Sequence, residues 1–392
     1  MMKLQSRVKS LLLSSAVATT SRKQFSHARF YRLFSSSKTT AAPTSTGSGT
    51  DFYTVGITGS SGCVGNALLD ELLEKRRVVN DKPVRVVRLI RSAAAEKAKP
   101  LFGQGDKVTS LMWNPNGNTP DTILDPEATT QLDAIVHLAG ENVGTGLGPL
   151  GFLGIRPWSD KKKQEILDSR VTSTTALSKV VQNADKPLSF LVASGIGCYG
   201  LDFIGDKRPA ADESMDISQS EGFLAQISRD WEAATKAANT NNKHAQRVVN
   251  MRFAVALSKK GGALQKLYPV FLFGGGGIIG NGDQYFTFIS ARDLARGIVH
   301  CIETPSIQGP VNLCAPNPCT NSEFTKALGG VLKRPTLLPF PSFAVSLMFG
   351  QMGEEMLLGG VRAVPQKLQE SGFKFQHPTI QEALASAMEE DI

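Results

Sequence analysis

Beyond residue 51 two hydrophobic rhythms alternate along the chain. Short, almost unbroken apolar runs of strand length occur at Tyr53 to Thr58, Val84 to Ile90, Val108 to Trp113, Asp133 to Gly140, Ser189 to Ser194 and Arg247 to Leu257, with a shorter one at Tyr285 to Ile289. Between the longer runs, apolar residues recur at helical spacing, as in Ala67, Leu68, Leu69, Leu72 and Leu73, or Ile166, Val171, Leu177, Val180 and Val181. Strands apolar on both faces and separated by helices predict an α/β protein built on a doubly wound parallel sheet. Ser159 is placed to cap a long helix through Val181, with Lys161 to Lys163 on its solvent face. From Gly261 the pattern changes, and glycine clusters at Gly274 to Gly277 and Gly280 to Gly282 mark loops of a smaller second lobe. The expected organisation is a leader and linker over 1–50, a nucleotide-binding domain over 51–263 and a substrate lobe over 264–392, partly interleaved.

The first apolar run empties into Thr58-Gly59-Ser60-Ser61-Gly62-Cys63-Val64-Gly65. Three glycines spaced by three suit a tight turn, close approach of backbone to a pyrophosphate, and close packing of the following helix, whose free N–H groups then face the anion. The spacing differs from the commoner Gly-x-Gly-x-x-Gly, but the strand, loop, helix, strand order is that of a dinucleotide site. The next strand ends Arg88-Leu89-Ile90-Arg91, where a site for NAD would place an acid on the ribose 2′-hydroxyl. Arg91 there favours a 2′-phosphate, hence NADP(H) over NAD(H). Small residues at Ala139 and Gly140 let a flat cofactor lie on the sheet.

The chain carries 43 Lys and Arg against 35 Asp and Glu, net +8. Eight of the basic residues lie within 1–50, which holds no acid, so the remainder balances and nucleic acid is not an expected partner. The Arg- and Ser-rich start resembles an organelle transit peptide with a cleavage site near Arg32 to Ser35; the expected address is the mitochondrial matrix, with the plastid as alternative. Residues 39–50 are small and polar, as a linker would be. The 5 cysteines form no Cys-x-x-Cys pair and no histidine stands at ligand spacing, so neither a disulfide framework nor a metal is expected. No apolar run after residue 50 reaches membrane-spanning length.

Taken with His137-Leu138-Ala139-Gly140-Glu141-Asn142, Gln164 to Arg170, Tyr199-Gly200, Asp230-Trp231-Glu232, Met251-Arg252-Phe253, Gly280 to Asp293, Asn321 to Phe324 and Pro365 to Phe373, the glycine loop resembles the extended short-chain dehydrogenase/reductases. More narrowly it resembles the atypical, U-type group of NAD(P)-dependent epimerase-family proteins. The resemblance spans Phe52 to Leu384. It implies a Rossmann domain with a C-terminal substrate lobe and bound NADP(H), held by Thr58, Gly59, Ser61, Gly62, Cys63, Val64, Gly65, Ile90, Arg91, Leu138, Ala139, Gly140, Glu165, Arg170 and Ala256. It also exposes a departure. Where that superfamily carries Tyr and Lys for proton transfer, the register set by Glu232 places Leu224 and Ser228, and the catalytic Ser falls at Gly195, beside Ser194. Leucine moves no proton. Tyr199, at a strand end, is the first substitute candidate, followed by Glu141 and His137. Two functions remain open: an NADP(H)-dependent oxidoreductase or epimerase-like enzyme acting on a small carbonyl compound such as a sugar nucleotide, or a nucleotide-binding regulator or scaffold, for instance in organelle division, without catalysis. Oligomeric state is not legible.

Overall fold

A computed structural model describes residues 52–73, 77–91, 108–144, 157–205, 208–240 and 244–390. The leader, the linker and most of the glycine-rich stretch after Gly144 lie outside these residues. The main sheet contains strands β1 (Tyr53–Thr58), β2 (Val78–Val79), β3 (Lys82–Ile90), β4 (Val108–Met112), β5 (Ala134–His137), β6 (Ser189–Gly195) and β7 (Arg247–Phe253). Three further short strands, β8 (Val255–Leu257), β9 (Tyr285–Phe286) and β10 (Phe288–Ser290), precede β11 (Gly309–Leu313), which returns to the main sheet, and β12 (Cys319–Thr320) follows. The order across the sheet is β4-β3-β1-β5-β6-β7-β11, all parallel, with β2 an antiparallel ribbon on β3. This is the expected doubly wound Rossmann arrangement.

Alternation along the strands divides the core in two. Val55, Ile57, Val84, Val86, Ala134 and Val136 face one side, where α1 (Cys63–Leu73) contributes Leu68, Leu69 and Leu72. Ile135, Phe190, Val192, Val87 and Leu89 face the other, under α2 (Asp160–Gln182) and Trp231 of α3 (Phe223–Ala233). Each fully buried leucine of α1 contributes roughly 1.5 to 3 kcal/mol, which is why that helix packs on the sheet although it lacks charged end residues. Ser159 caps α2 as expected, its hydroxyl accepting from Lys162 N at 3.2 Å.

The run Arg247 to Leu257 is not one strand. The chain leaves the main sheet at Ala254, whose N–H donates to Leu313 O, and β8 pairs with β10 instead. Likewise the run at Tyr285 breaks at Thr287, because β9 pairs with β12 and β10 with β8. After β8 come α4 (Gly262–Leu272), α5 (Ala291–Glu303), α6 (Asn321–Leu332), α7 (Ser342–Gly353) and α8 (Ile380–Met388). A third core joins Leu257, Leu264, Phe288, Phe324, Leu328, Ile380 and Leu384. Helix α5 carries Leu294 and Ile298 into the same core as α1, so this part of the sequence completes the sheet's first face.

Two contacts bind the late segments to the early ones. Asp293, fully buried in α5, accepts from the backbone N–H of Gln376 and His377 and pairs with Arg296 at 2.6 Å. Helix α3 begins after Gly222, which has no side chain to cap it; Glu355, beyond α7, supplies the cap by accepting from Phe223 N and Leu224 N, each at 2.9 Å.

Candidate functional site

The chain runs from β1 to its neighbour β3 and later crosses back to β5 on β1's other side, so a crevice opens outside the carboxyl ends of β1 and β5. Such a switch point is where ligands bind in open α/β sheets. A cleft of about 1270 Å³ lies there, lined by Gly59 to Gly62, Arg88 to Arg91, the Met112 to Asn116 stretch and Leu138 to Gly140.

Gly59 takes φ +67° and lies so close to β5 that a Cβ would sit 2.8 Å from Leu138 C and 2.9 Å from Ala139 N. Both constraints require glycine there. A Cβ at Gly65 would run into the Gly59 carbonyl and Ser60, so α1 can begin at this distance only with glycine at that position. Thr58 is fully buried beneath the turn, and its hydroxyl accepts from Leu138 N and Ala139 N at 3.2 and 3.3 Å. That hydroxyl donates to His137 Nδ1 at 2.7 Å, so Nε2 carries the proton and donates to Ser173 Oγ at 3.0 Å. His137 is completely buried, and burial, with Arg170 adding to it, lowers its pKa to about 3. It is a neutral core residue that ties β1, β5 and α2 together, not a proton carrier.

Of the residues expected at the cofactor, Gly59, Ser61, Gly62, Ile90, Arg91, Leu138, Ala139 and Gly140 all line the cleft. Thr58 acts from below. Cys63, Val64 and Gly65 form the first turn of α1 but not the cleft wall, and Cys63 instead packs against Gly261. Arg170 lies behind Gly140: a Cβ there would be 3.2 Å from its Cζ. Its guanidinium stacks 4.8 Å over Trp231 and donates to Ile166 O, and burial lowers its pKa to about 10 against the pull of Glu141. Glu165 is exposed and 3.9 Å from Lys162, and Ala256 lies in β8; neither lines the cleft.

The other end of the crevice differs. Leu224 faces Gly197, and Ser228 turns its hydroxyl inward to Leu224 O at 2.8 Å, so the two positions that the register from Glu232 assigned to Tyr and Lys offer the crevice no ionisable group. Ser194 donates to Glu232 Oε1 at 2.9 Å. The expectation for Tyr199 is corrected. Its side chain is 1% exposed, its hydroxyl donates to Asn312 Oδ1 at 2.7 Å and accepts from Arg252 Nη1 at 3.0 Å, and burial pushes the phenol well up despite Arg252. The sequence put it at a strand end, but the short helical turn Ile196–Tyr199 folds it back under the sheet. Arg252 pairs twice with Glu232, at 2.8 and 2.9 Å, and Asn312 N donates to Glu213, completing a buried polar chain across β6, β7 and β11. Besides Arg170, ionisable groups near the end of β5 include Glu141, paired with Lys162 at 2.5 Å, and Lys266, whose ammonium donates to Gly144 O. Among the described residues no group of acids, histidines and cysteines could hold a metal ion.

Residues 55–314 match the NAD dependent epimerase/dehydratase family, and residues 340–387 match a domain of unknown function, DUF1731. The chain belongs to that epimerase/dehydratase family. An epimerase family protein of Mycobacterium bovis, Mb2239, is 39% identical over 334 residues, covering 85% of this chain and 97% of the relative. The human epimerase family protein SDR39U1 (isoform 2), crystallised with NADPH, superposes with a TM-score of 0.67 at 28% identity, over 86% of this chain and 100% of that one. A UDP-glucuronic acid 4-epimerase of Bacillus cereus, in complex with UDP-glucuronic acid and NAD, shares the fold at 16% identity, TM-score 0.62, over 85% of this chain and 97% of its own. Among the described residues no helix is long and apolar enough to cross a membrane.

Arg88 was missed in the sequence. The visible signal was an arginine inside an otherwise apolar strand, Val86-Val87-Arg88-Leu89-Ile90, which reads as an incidental solvated residue until the fold shows it buried beneath the glycine loop.

Proposed function

We propose that this family member binds NADP(H) in the β1/β5 cleft and acts as an oxidoreductase or epimerase-like enzyme on a small carbonyl compound, a sugar nucleotide being the class that the epimerase fold accommodates. The observation that carries the cofactor reading is the cleft itself: a glycine cradle that no Cβ would permit, with arginines and no acid at the tip of β3. The NADPH in the human relative's crystal structure supports it. The cofactor would supply hydride at its nicotinamide. The chain supplies the cradle, a stacking surface at Leu138 to Gly140, and Arg170 as a half-buried cation behind it.

Proton transfer in this reading falls to Glu141, which directly follows the cleft wall and is held by Lys162. The deciding experiment measures NADPH and NADH affinity by calorimetry and then NADPH oxidation against a panel of carbonyl metabolites and sugar nucleotides. NADPH preference with turnover supports the enzyme; equal affinities overturn the cofactor reading. The second reading, a nucleotide-bound regulator or scaffold, is favoured by Leu224 at the place of the proton-carrying Tyr, and it gains if NADPH binds and no substrate turns over. We further propose import into the mitochondrial matrix, or alternatively the plastid, directed by residues 1–34; a reporter fused to residues 1–50 that stays cytosolic overturns this.

A further inference from the structure

We infer that Arg88, rather than the strand-end Arg91 alone, is the anion-binding residue that discriminates the adenosine 2′-phosphate, a reading that rests on the NADP(H) assignment above. Arg88 pairs across the sheet with Ile57 of β1, and period-two alternation puts it on the same face as Val84 and Val86, toward α1. Ile90 is the one strand residue beyond it on that face, and the contact of Arg88 with Ser60 places its guanidinium at the glycine loop that leads into α1. There its Nε donates to Ser60 Oγ at 3.2 Å, which fixes the plane of the fork. The residue is 7% exposed, yet it lines the cleft, and no carboxylate among the described residues pairs with it. The acids of the cleft, Asp121 and Asp125, stand on short helical turns after β4, and Asp125 is already occupied in capping its own turn through Ala128 N.

A buried guanidinium without a counter-ion is costly unless an anion completes it. The fork's two terminal nitrogens match two oxygens of a phosphate, and the free N–H groups at the start of α1 add to the same field. Arg91 is exposed, so its contribution is screened by solvent. Ser60, itself buried and bonded to Arg88 Nε, acts as the positioning residue for Arg88.

The test uses the full chain in three forms, unmodified, Arg88→Met and Arg88→Lys, titrated with NADPH, NADH, and the probes adenosine 2′,5′-bisphosphate and 5′-AMP. Arg88→Met is expected to weaken NADPH and the bisphosphate at least tenfold while leaving NADH and 5′-AMP within about twofold. Arg88→Lys keeps the charge but loses the fork and should fall between. The ligand-free Arg88→Met protein should melt at the same temperature as the unmodified one or higher, since an uncompensated buried charge has been removed, and its melting temperature should rise less on adding NADPH. If Arg88 serves only to hold Ser60 and the loop, both cofactors weaken together and the ligand-free protein melts lower; that result overturns the inference. Retained NADPH preference in both variants overturns it too. An unmodified protein with no preference for NADPH sinks the cofactor reading itself, which keeps the two failures apart.

Discussion

The two ends of the crevice have been treated differently by this sequence. At the carboxyl ends of β1, β3 and β5, above the buried Thr58–His137 pair, the glycine loop, Arg88 and Arg91 line a cleft. At β6, β7 and β11 the polar groups are closed upon one another, with Ser194, Glu232, Arg252, Tyr199, Asn312 and Glu213 forming a chain in which each member satisfies the next. The first arrangement is suited to binding and the second to holding a fold. Where the register from Glu232 holds, a chain of this family keeps an open cradle while the far end of the crevice is given over to packing.

The largest effect is expected where that closed network is cut. Glu232→Ala leaves Arg252 buried and unpaired and should cost about 3 to 5 kcal/mol in urea-unfolding free energy. A cost below 1 kcal/mol would mean the β6 end is open to water after all. Next, Tyr199→Phe removes a hydroxyl that both donates and accepts in the core, and should destabilise by about 1 to 3 kcal/mol while NADPH affinity and any turnover remain unchanged. A hundredfold loss of turnover in a stable Tyr199→Phe protein would restore that residue to the chemistry and blur the contrast between the ends.

The pH dependence tests the packed floor beneath the open cleft. His137 has a folded pKa near 3 against about 6.5 unfolded, so the unfolded chain binds the extra proton between these values. Its contribution is complete above pH 6.5 and is lost as pH falls toward 3, with a slope of up to about 1.4 kcal/mol per pH unit. Comparing His137→Asn with the unmodified protein between pH 7 and 4 measures that slope; equal slopes would show that His137 takes up its proton in the fold as readily as in the unfolded chain. The smallest effect on stability is expected at Glu141→Gln, within about 0.5 kcal/mol since the carboxylate is half-exposed, with NADPH affinity nearly unchanged. Turnover should fall about 100-fold if Glu141 carries the proton. Unaltered turnover removes it from that role.

The open end was the legible one. Glycine spacing, small residues after β5 and a missing acid at the tip of β3 are local consequences of ligand geometry, and local geometry is written in consecutive residues. The closed end depends on pairs such as Tyr199 with Asn312 and Arg252 with Glu232, which lie on separate strands and meet only when the sheet order is known. Arg88 fell between these cases: its residue type was visible, but its burial depends on which face of β3 lies under α1. The strand over Arg247 to Leu257 failed for a related reason, since composition continues through Ala254 while hydrogen-bond partners change there.

The cap on α3 has a consequence for the order in which the molecule can be completed. Helix α3 starts after a glycine that offers no capping group, and its two leading N–H donors are met by Glu355, 132 residues beyond Phe223. At a synthesis rate of about 5 to 20 residues per second, that partner arrives on the order of ten seconds after the helix has been made. Until then the helix that carries Leu224 lacks its N-terminal cap, and its first turn is expected to fray. Protein truncated before the DUF1731 segment would therefore be expected to retain a cradle for nucleotide beside an unsealed wall, a species that chaperones and proteases would meet during every round of translation.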